Sequence, residues 1–194
     1  MSNLFKQFLQ WLDNIFTAHK KPGVVVKVQV PTVPVAKSPK RSKSAAAAAA
    51  AAGIAVAMPL VAAFEGYYPR AYRDPVGVKT ICYGQTAVDG ADFSKTYTKA
   101  ECEKMLGVDL AKYQAQVRRC VPTVQPPHRE AALVSFTYNL GGGALCRTVG
   151  PKIAAGKVAE GCKAMLAYNH AGGRVLAGLT RRRQAEYKLC LRND

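Results

Sequence analysis

Acidic residues are scarce in this chain of 194 residues, which has 12 Asp and Glu against 28 Lys and Arg and a formal net charge of +16. The shortage is greatest before residue 45, where Asp13 is the single acid beside eight basic side chains. The remaining residues are basic in their own right. This balance favours an anionic partner such as a lipid surface or a cell-wall polymer. Because no basic motif interleaved with aromatic residues accompanies the charge, nucleic acid is the weakest candidate.

Cysteine is absent from the first 81 residues. No two cysteines are spaced as CxxC and the three histidines are scattered, which argues against a structural zinc site, and no cofactor is predicted. The even number of cysteines suits disulfides in an oxidising compartment, with 15 possible pairings. Six reduced thiols in the core are the alternative. The cysteines are Cys82, Cys102, Cys120, Cys146, Cys162 and Cys190.

Charge is absent between Lys43 and Glu65, over the segment SAAAAAAAAGIAVAMPLVAAF at 44–64. As a helix this segment would be roughly 30 Å long, about the thickness of a bilayer core. Alanine contributes little transfer free energy, so the span would be marginal and could insert and later leave. The basic residues before it predict a cytoplasmic N-terminus. A cleaved signal peptide with an unusually long basic region, or a soluble Ala-rich helix or linker, are the alternatives.

The first 43 residues form an N-terminal basic extension. Residues 3–19 predict an amphipathic helix, and residues 22–43 a basic linker interrupted by proline, with a short valine-rich strand at most. The helix suits a membrane surface, a partner, or packing on the chain's own domain. Its apolar stripe consists of Leu4, Phe5, Phe8, Leu9, Trp11, Leu12, Ile15 and Phe16.

Residues 65–194 predict a compact α+β domain. Short strands and turns are expected at 67–86, where Tyr, Val, Ile and Thr alternate with Gly and Pro. Helices follow, the first opened by a capping box between Thr98 and Glu101 and the next running over 128–140 to a glycine stop. Further helices are expected near 150–156, 158–168 and 179–191.

Three polar residues of the hairpin region suggest glycoside hydrolysis. That reaction needs an acid to protonate the leaving oxygen and a second group to guide water or support the positive ring. Glu65 follows the apolar segment, Asp74 lies in an Asp-Pro-Val-Gly turn, and Thr80 lies on the returning strand. Spacing alone is a weak signal, because many surface hairpins hold such residues.

The pattern E-G-x(7)-D-x(5)-T-x(3)-G resembles the catalytic signature of the phage-type lysozymes, glycoside hydrolase family 24. Here it is formed by Glu65, Gly66, Asp74, Thr80 and Gly84. The stretches LVSFTYNLGGGAL at 133–145 and AGGRVLAGLTRRRQAEYKLCL at 171–191 resemble two later blocks of that family, in the same order. The resemblance implies a lysozyme-like fold, with a small β-hairpin lobe and a larger helical lobe.

The resemblance also implies roles for individual residues. Glu65 would be the general acid, with Asp74 and Thr80 positioning water or stabilising the transition state, for the β-1,4 bond between N-acetylmuramic acid and N-acetylglucosamine. Most of the family suggests inversion. The residues expected to contact or support the substrate are Tyr72, Gly84, Gln85, Asn139 and Arg182.

Gln85 departs from the family, which often has His there, so we expect this position to support geometry rather than to transfer protons. Arg182 is expected to pair with Glu65 or to brace the helical lobe, the alternative being one charge of a solvated arginine run. Asn139 is expected to contact sugar, and a helix-end cap is the alternative.

The segment 44–64 resembles the anchor of the signal-anchor-release endolysins. The implied protein is tethered to the inner membrane with its N-terminus in the cytoplasm and released into the periplasm of a Gram-negative host. Its implied partners are peptidoglycan, the inner-membrane surface and, indirectly, a holin or pinholin. Cys82 and Cys102, and Cys162 and Cys190, stand where some anchored members of the family also have cysteine. The expected bridges are Cys162–Cys190, Cys120–Cys146 flanking the central helix, and Cys82–Cys102. A cationic wall- or membrane-binding antibacterial protein on a lysozyme scaffold is the alternative function.

Overall fold

The computed structural model of the chain describes residues 43–74 and 77–192. The predicted amphipathic helix 3–19 and the linker after it lie outside the described residues. Helix α1, Lys43–Glu65, opens the described part and covers the whole Ala-rich segment. A run of eight alanines favours this helix strongly, and it tolerates Gly53 and Pro59 in its interior.

Two short antiparallel hairpins supply the strands that the structure describes. Strand β1, Tyr68–Arg73, pairs with β2, Lys79–Cys82, with Tyr72 opposite Thr80. A second hairpin joins β3, His170–Ala171, to β4, Arg174–Val175. The strands expected at 67–86 are therefore present, and the fold is α+β.

The remaining elements are helical. Helix α2, Lys99–Cys120, starts as predicted, since the Thr98 hydroxyl accepts from the Glu101 amide and the Glu101 carboxylate accepts from the Thr98 amide. A 3-10 turn, Ala87–Asp89, precedes it. After it come α3 at Pro127–Leu140, α4 at Gly142–Ala144, a π turn at Leu145–Val149, α5 at Gly150–Ala154, α6 at Val158–Ala164, a 3-10 turn at Met165–Ala167, and α7 at Ala177–Cys190.

Helix α3 is the centre of the core, because α1, α2 and α7 all pack against it. Its residues from Ala131 to Thr137 are all buried. A fully buried side chain of this kind contributes about 1.5–3 kcal/mol to folding. The buried apolar residues of these three helices are Ala57, Leu60 and Val61 of α1, Leu106, Leu110 and Val117 of α2, and Leu189 of α7.

The six cysteines form three disulfides, which confirms the expected pairing. Cys82–Cys102 joins β2 to α2, Cys120–Cys146 joins the end of α2 to the π turn, and Cys162–Cys190 joins α6 to α7. The Cα atoms of the pairs lie 5.2, 5.0 and 5.8 Å apart. Each bridge closes a loop whose entropy in the unfolded chain corresponds to roughly 3 kcal/mol. The alternative of six reduced thiols is therefore not the one that the structure adopts.

Helix α1 has two properties that conflict. By its length and composition, Ala47–Glu65 could cross a membrane, with a mean hydropathy of 2.1. In this structure, however, 22% of that apolar stretch is buried inside the fold. It also rests partly on polar groups, since the Gln114 side-chain amide donates to the Ala50 carbonyl at 2.9 Å. The same helix is thus apolar enough for a bilayer and specifically seated on the domain.

At Gly53 the backbone of α1 lies close to a side chain of α3. A Cβ atom placed there would lie 2.5 Å from Oε2 of Glu130, which is buried on α3 and bonded through Oε1 to Arg118 Nε at 2.7 Å. The missing side chain therefore lets the backbone of α1 approach a buried carboxylate. On the other side, the methyl of Met58 covers Gly107 of α2.

We expect Gly53→Leu to unseat α1 from α3. The leucine side chain must displace Glu130 or the helix, which costs free energy. Replacing glycine in a helix stabilises the helix by roughly 1 kcal/mol, and we expect the cost of the displacement to be larger than this gain. Urea unfolding of the purified protein measures it, with a net destabilisation of about 1–3 kcal/mol expected. Ala55→Leu, at an exposed position of the same helix, is the control and should unfold like the wild type. Equal midpoints for Gly53→Leu and the control would contradict the close contact.

Candidate active site

Glu65 is the last residue of α1, and the helix stops directly after it. Gly66 has φ +78, a left-handed conformation that favours glycine, and its amide donates to the Ala62 carbonyl at 3.1 Å. The chain then turns into β1. The Glu65-Gly66 pair of the sequence motif is therefore a helix end that projects a carboxylate at the junction of α1 and the hairpin.

Arg182 holds this carboxylate. Its Nη1 donates to Glu65 Oε1 at 2.6 Å, and its guanidinium lies 5.5 Å from the centre of the Phe64 ring. Two further bonds fix the guanidinium from behind, to Glu186 Oε1 at 3.2 Å and to the Ser135 carbonyl at 3.3 Å. Arg182 is 4% exposed, so the expected pairing with Glu65 is present and the alternative of a solvated charge does not fit.

Asp74 and Thr80 lie on the hairpin, at and near its turn. Asp74 Oδ1 accepts from the Val78 amide at 2.8 Å, and the Thr80 hydroxyl donates to the Val78 carbonyl at 3.1 Å. Tyr72 lies directly opposite Thr80 in the ladder. Because side chains alternate along a strand and cross-strand partners share a face, Tyr72, Asp74 and Thr80 lie on one face of the hairpin.

Tyr72 links this face to the end of α1. Burial raises the pKa of its phenol, and the negative charges of Tyr68, Glu65 and Asp74 raise it further. The structure thus pairs Glu65 with Arg182 and places Tyr72, Thr80 and Asp74 together on the hairpin that follows Glu65.

Gly84 and Gln85 come shortly after β2, where Gly84 lies against α3 and Gln85 bonds α2. Gly84 has φ +111, and a Cβ there would lie 3.3 Å from the hydroxyl of Tyr138, which itself donates to the Tyr83 carbonyl. Gln85 is 1% exposed; its Nε2 donates to Asp109 Oδ2 at 2.9 Å and its Oε1 accepts from the Tyr83 amide at 2.9 Å. Gln85 therefore braces the turn against α2, and its side chain has no surface left for a substrate in this conformation.

Residues 62–186 match the family model described as phage lysozyme. The chain belongs to the phage lysozyme family. The SAR-endolysins of Bacteriophage PS119 and of Enterobacteria phage PA-2 are each 36% identical over 145 residues, which is 71% of this chain and 86% and 87% of those proteins. The chain is therefore a glycoside hydrolase of the endolysin type.

A solved structure agrees with this assignment. The muramidase domain of SpmX from Asticaccaulis excentricus superposes with a TM-score of 0.64 at 31% identity, over 70% of this chain and 95% of that one. The lysozyme-like architecture predicted from the sequence, a small hairpin lobe with a larger helical lobe, is confirmed.

Asn139 lies near the end of α3 in this lysozyme. Its side-chain oxygen accepts from Arg183 Nη2 at 3.1 Å, while the helix end is closed by the bond from the Gly141 amide to the Thr137 carbonyl. The backbone thus provides the cap that was the alternative role of Asn139. The amide group is instead oriented by a buried arginine.

Glu186 is the residue that the sequence did not single out. It is fully buried and accepts from Ser135 Oγ at 2.7 Å, Arg182 Nε at 3.2 Å and Arg183 Nη2 at 3.0 Å. One carboxylate therefore holds the two arginines that orient Glu65 and Asn139. Its spacing from these arginines, three and four residues along α7, is a helical signal that could have revealed it.

We expect Arg182→Lys to lower the turnover rate, because lysine keeps the charge but lacks the planar fork that contacts Glu65, Glu186 and Ser135 together. A carboxylate that moves by about 1 Å can lose on the order of a hundredfold in rate. Clearing of permeabilised Gram-negative cells measures the effect.

Arg181→Lys is the matched control, since Arg181 is exposed and adjacent. Thermal unfolding of both variants shows whether a lower clearing rate comes from a displaced Glu65 or from an unfolded protein. A folded Arg182→Lys variant with wild-type clearing would show that the fork does not position Glu65.

Proposed function

We propose that this lysozyme is an endolysin that hydrolyses the β-1,4 bond between N-acetylmuramic acid and N-acetylglucosamine in peptidoglycan, with Glu65 as the general acid. The observation that carries the proposal is Glu65, fixed by Arg182 at the end of α1, directly before a hairpin that carries Asp74 in its turn and Thr80 opposite Tyr72. Two carboxylates flanking one site are what glycoside hydrolysis requires.

The contact with Arg182 assigns the two oxygens of Glu65. A guanidinium can only donate, so Oε1 stays the accepting oxygen and the transferable proton belongs on Oε2. Oε2 would protonate the glycosidic oxygen as the bond to the sugar carbon breaks. The attacking water would give its proton to Asp74 on the opposite face, and exchange with solvent would return a proton to Glu65 and remove one from Asp74.

Asp74 and Thr80 would act on the opposite side of the sugar ring. The Val78 amide fixes one oxygen of Asp74, which suits a group that must orient a water or support the positive charge of the ring. The Thr80 hydroxyl, now bonded to the Val78 carbonyl, would share that water. Attack by water from this side inverts the anomeric carbon.

The membrane step follows from the position of Glu65 at the end of α1. The helix cannot lie in a bilayer and pack on α3 at the same time, so a tethered protein would hold Glu65 at the membrane surface, away from its partner Arg182. Release of the helix would let it seat beside Gln114 and Glu130 and complete the site. The protein would thus be tethered to the inner membrane with its N-terminus in the cytoplasm, and active once released into the periplasm.

The similarity to SAR-endolysins and the membrane-compatible length of Ala47–Glu65 support this account. A holin or pinholin would act indirectly, by removing the membrane potential that keeps a marginal span inserted.

We expect Glu65→Gln to abolish clearing of permeabilised Gram-negative cells, with a loss of about 10²–10⁴-fold, because glutamine cannot donate the proton. Glu103→Gln is the matched control, since Glu103 lies on the surface of α2 in an i,i+4 pair with Lys99. Equal clearing by Glu65→Gln and the wild type would contradict the assignment of Glu65 as the general acid.

The anchor has its own test in fractionated cells. We expect the tagged protein to sediment with membranes before depolarisation and to become soluble afterwards. A protein that is soluble before depolarisation would exclude tethering by α1, and one that stays in the membrane afterwards would exclude release.

A further inference from the structure

The hairpin next to Glu65 contains an irregularity. Tyr68 pairs with Cys82 and Tyr72 pairs with Thr80, so four steps along β1 correspond to two along β2. Two extra residues therefore bulge from β1 between the pairs. Bulges often lie beside active sites, where they redirect a side chain.

The bulge brings two tyrosine rings together. Four residues of regular strand would separate Tyr68 from Tyr72 by roughly 13 Å. Their ring centres are 4.5 Å apart and the rings are tilted by 38°. The strand therefore curls so that one ring rests on the other, at the cost of regular pairing.

The resulting aromatic pair borders both carboxylates. Tyr72 lies two residues before Asp74 and opposite Thr80. The Tyr68 ring lies over Gly66, the residue after Glu65, with its Cε2 3.2 Å from the position of a Cβ there. The pair thus extends from the helix end that bears Glu65 towards the turn that bears Asp74.

Tyr68 keeps a large surface free for a ligand. It is 47% exposed, whereas its neighbour Tyr67 uses its hydroxyl to bond the Tyr97 carbonyl and its ring to contact Tyr83. Tyr67 thus holds the hairpin to the segment before α2. Tyr68 has its ring packed on Tyr72 and otherwise faces outward.

We propose that the Tyr68–Tyr72 pair is a saccharide subsite, on which an N-acetylated pyranose ring of the glycan strand stacks next to the bond to be cleaved. The proposal rests on the proposed function. The C–H face of a pyranose is flat and apolar, and a tyrosine ring presents a complementary flat face whose polar tip remains in water. The pyranose would be held by the ring of Tyr68, with the hydroxyl dispensable.

An interfacial role is the competing assignment, since Tyr68 also follows closely on a membrane-compatible helix and tyrosine favours membrane interfaces. The bulge favours the assignment as a sugar subsite, because it packs Tyr68 against Tyr72 and not along the axis of α1.

Kinetics on solubilised glycan strands test the proposal. We expect Tyr68→Ala to raise KM about tenfold and to leave kcat within about twofold, since one stacking contact is lost while the acid stays in place. Tyr68→Phe and Tyr68→Trp should keep the wild-type KM, and Tyr68→Leu should resemble Ala because it offers bulk without a flat face. Val88→Ala, at a residue 91% exposed on the 3-10 turn, is the surface control.

Binding without hydrolysis separates this proposal from the assignment of Glu65. In a Glu65→Gln background, adding Tyr68→Ala should weaken binding to intact sacculi by about the same factor as it raises KM. If Glu65→Gln still cleaves the sacculi, the assignment of the acid fails, and the KM comparison of the Tyr68 variants in the wild-type background then tests the subsite by itself.

An unchanged KM and an unchanged sacculus affinity in Tyr68→Ala would overturn the subsite. Loss of affinity in Tyr68→Phe equal to that in Tyr68→Ala would also overturn it, because the hydroxyl would then be the contact. Weaker binding to anionic phospholipid vesicles with unchanged KM would assign Tyr68 to the membrane instead.

Discussion

The bond between Arg182 and Glu65 is the interaction on which the site depends. It joins residues 117 positions apart and ties the end of α1 to α7 across the central helix α3. A buried arginine needs compensation for its lost hydration, and here two carboxylates and a backbone carbonyl supply it. Glu186 anchors the guanidinium from the interior, so the position of Glu65 depends on the packing of α7 as well as on the end of α1.

The same bond makes the site conditional on the location of α1. Most of that helix is uncharged alanine, which gives a weak preference for a bilayer and an equally weak preference for an apolar core. Two specific contacts define how this helix packs on the domain. Gly53 lies close to Glu130, and the Ala50 carbonyl accepts a hydrogen bond from Gln114. This balance fits the proposed exchange of α1 between a bilayer and the domain.

Local signals in the sequence were reliable where a few neighbouring residues determine the structure. The capping box at Thr98 fixed the start of α2, and the prolines and glycines around 128–140 fixed α3, because both act through backbone bonds within one turn. The family resemblance supplied the disulfides Cys82–Cys102 and Cys162–Cys190, and it supplied the roles proposed for Glu65, Asp74 and Thr80. Burial of Gln85 was not predictable, because it depends on a contact with Asp109 in another element. The spacing of Glu186 from Arg182 and Arg183 was a local signal, but its contact with Ser135 of α3 was not visible in the sequence.

By itself the sequence determined that a carboxylate follows directly on an uncharged helix, and that a second carboxylate and a hydroxyl follow on a hairpin. The tertiary structure decided which arginine of the run at 181–183 meets Glu65 and how far the hairpin curls. Helical periodicity turns Arg182 and Arg183 inward and Arg181 outward only when α7 is packed on α3. The bulge exists only in the register of β1 with β2, which no single strand encodes.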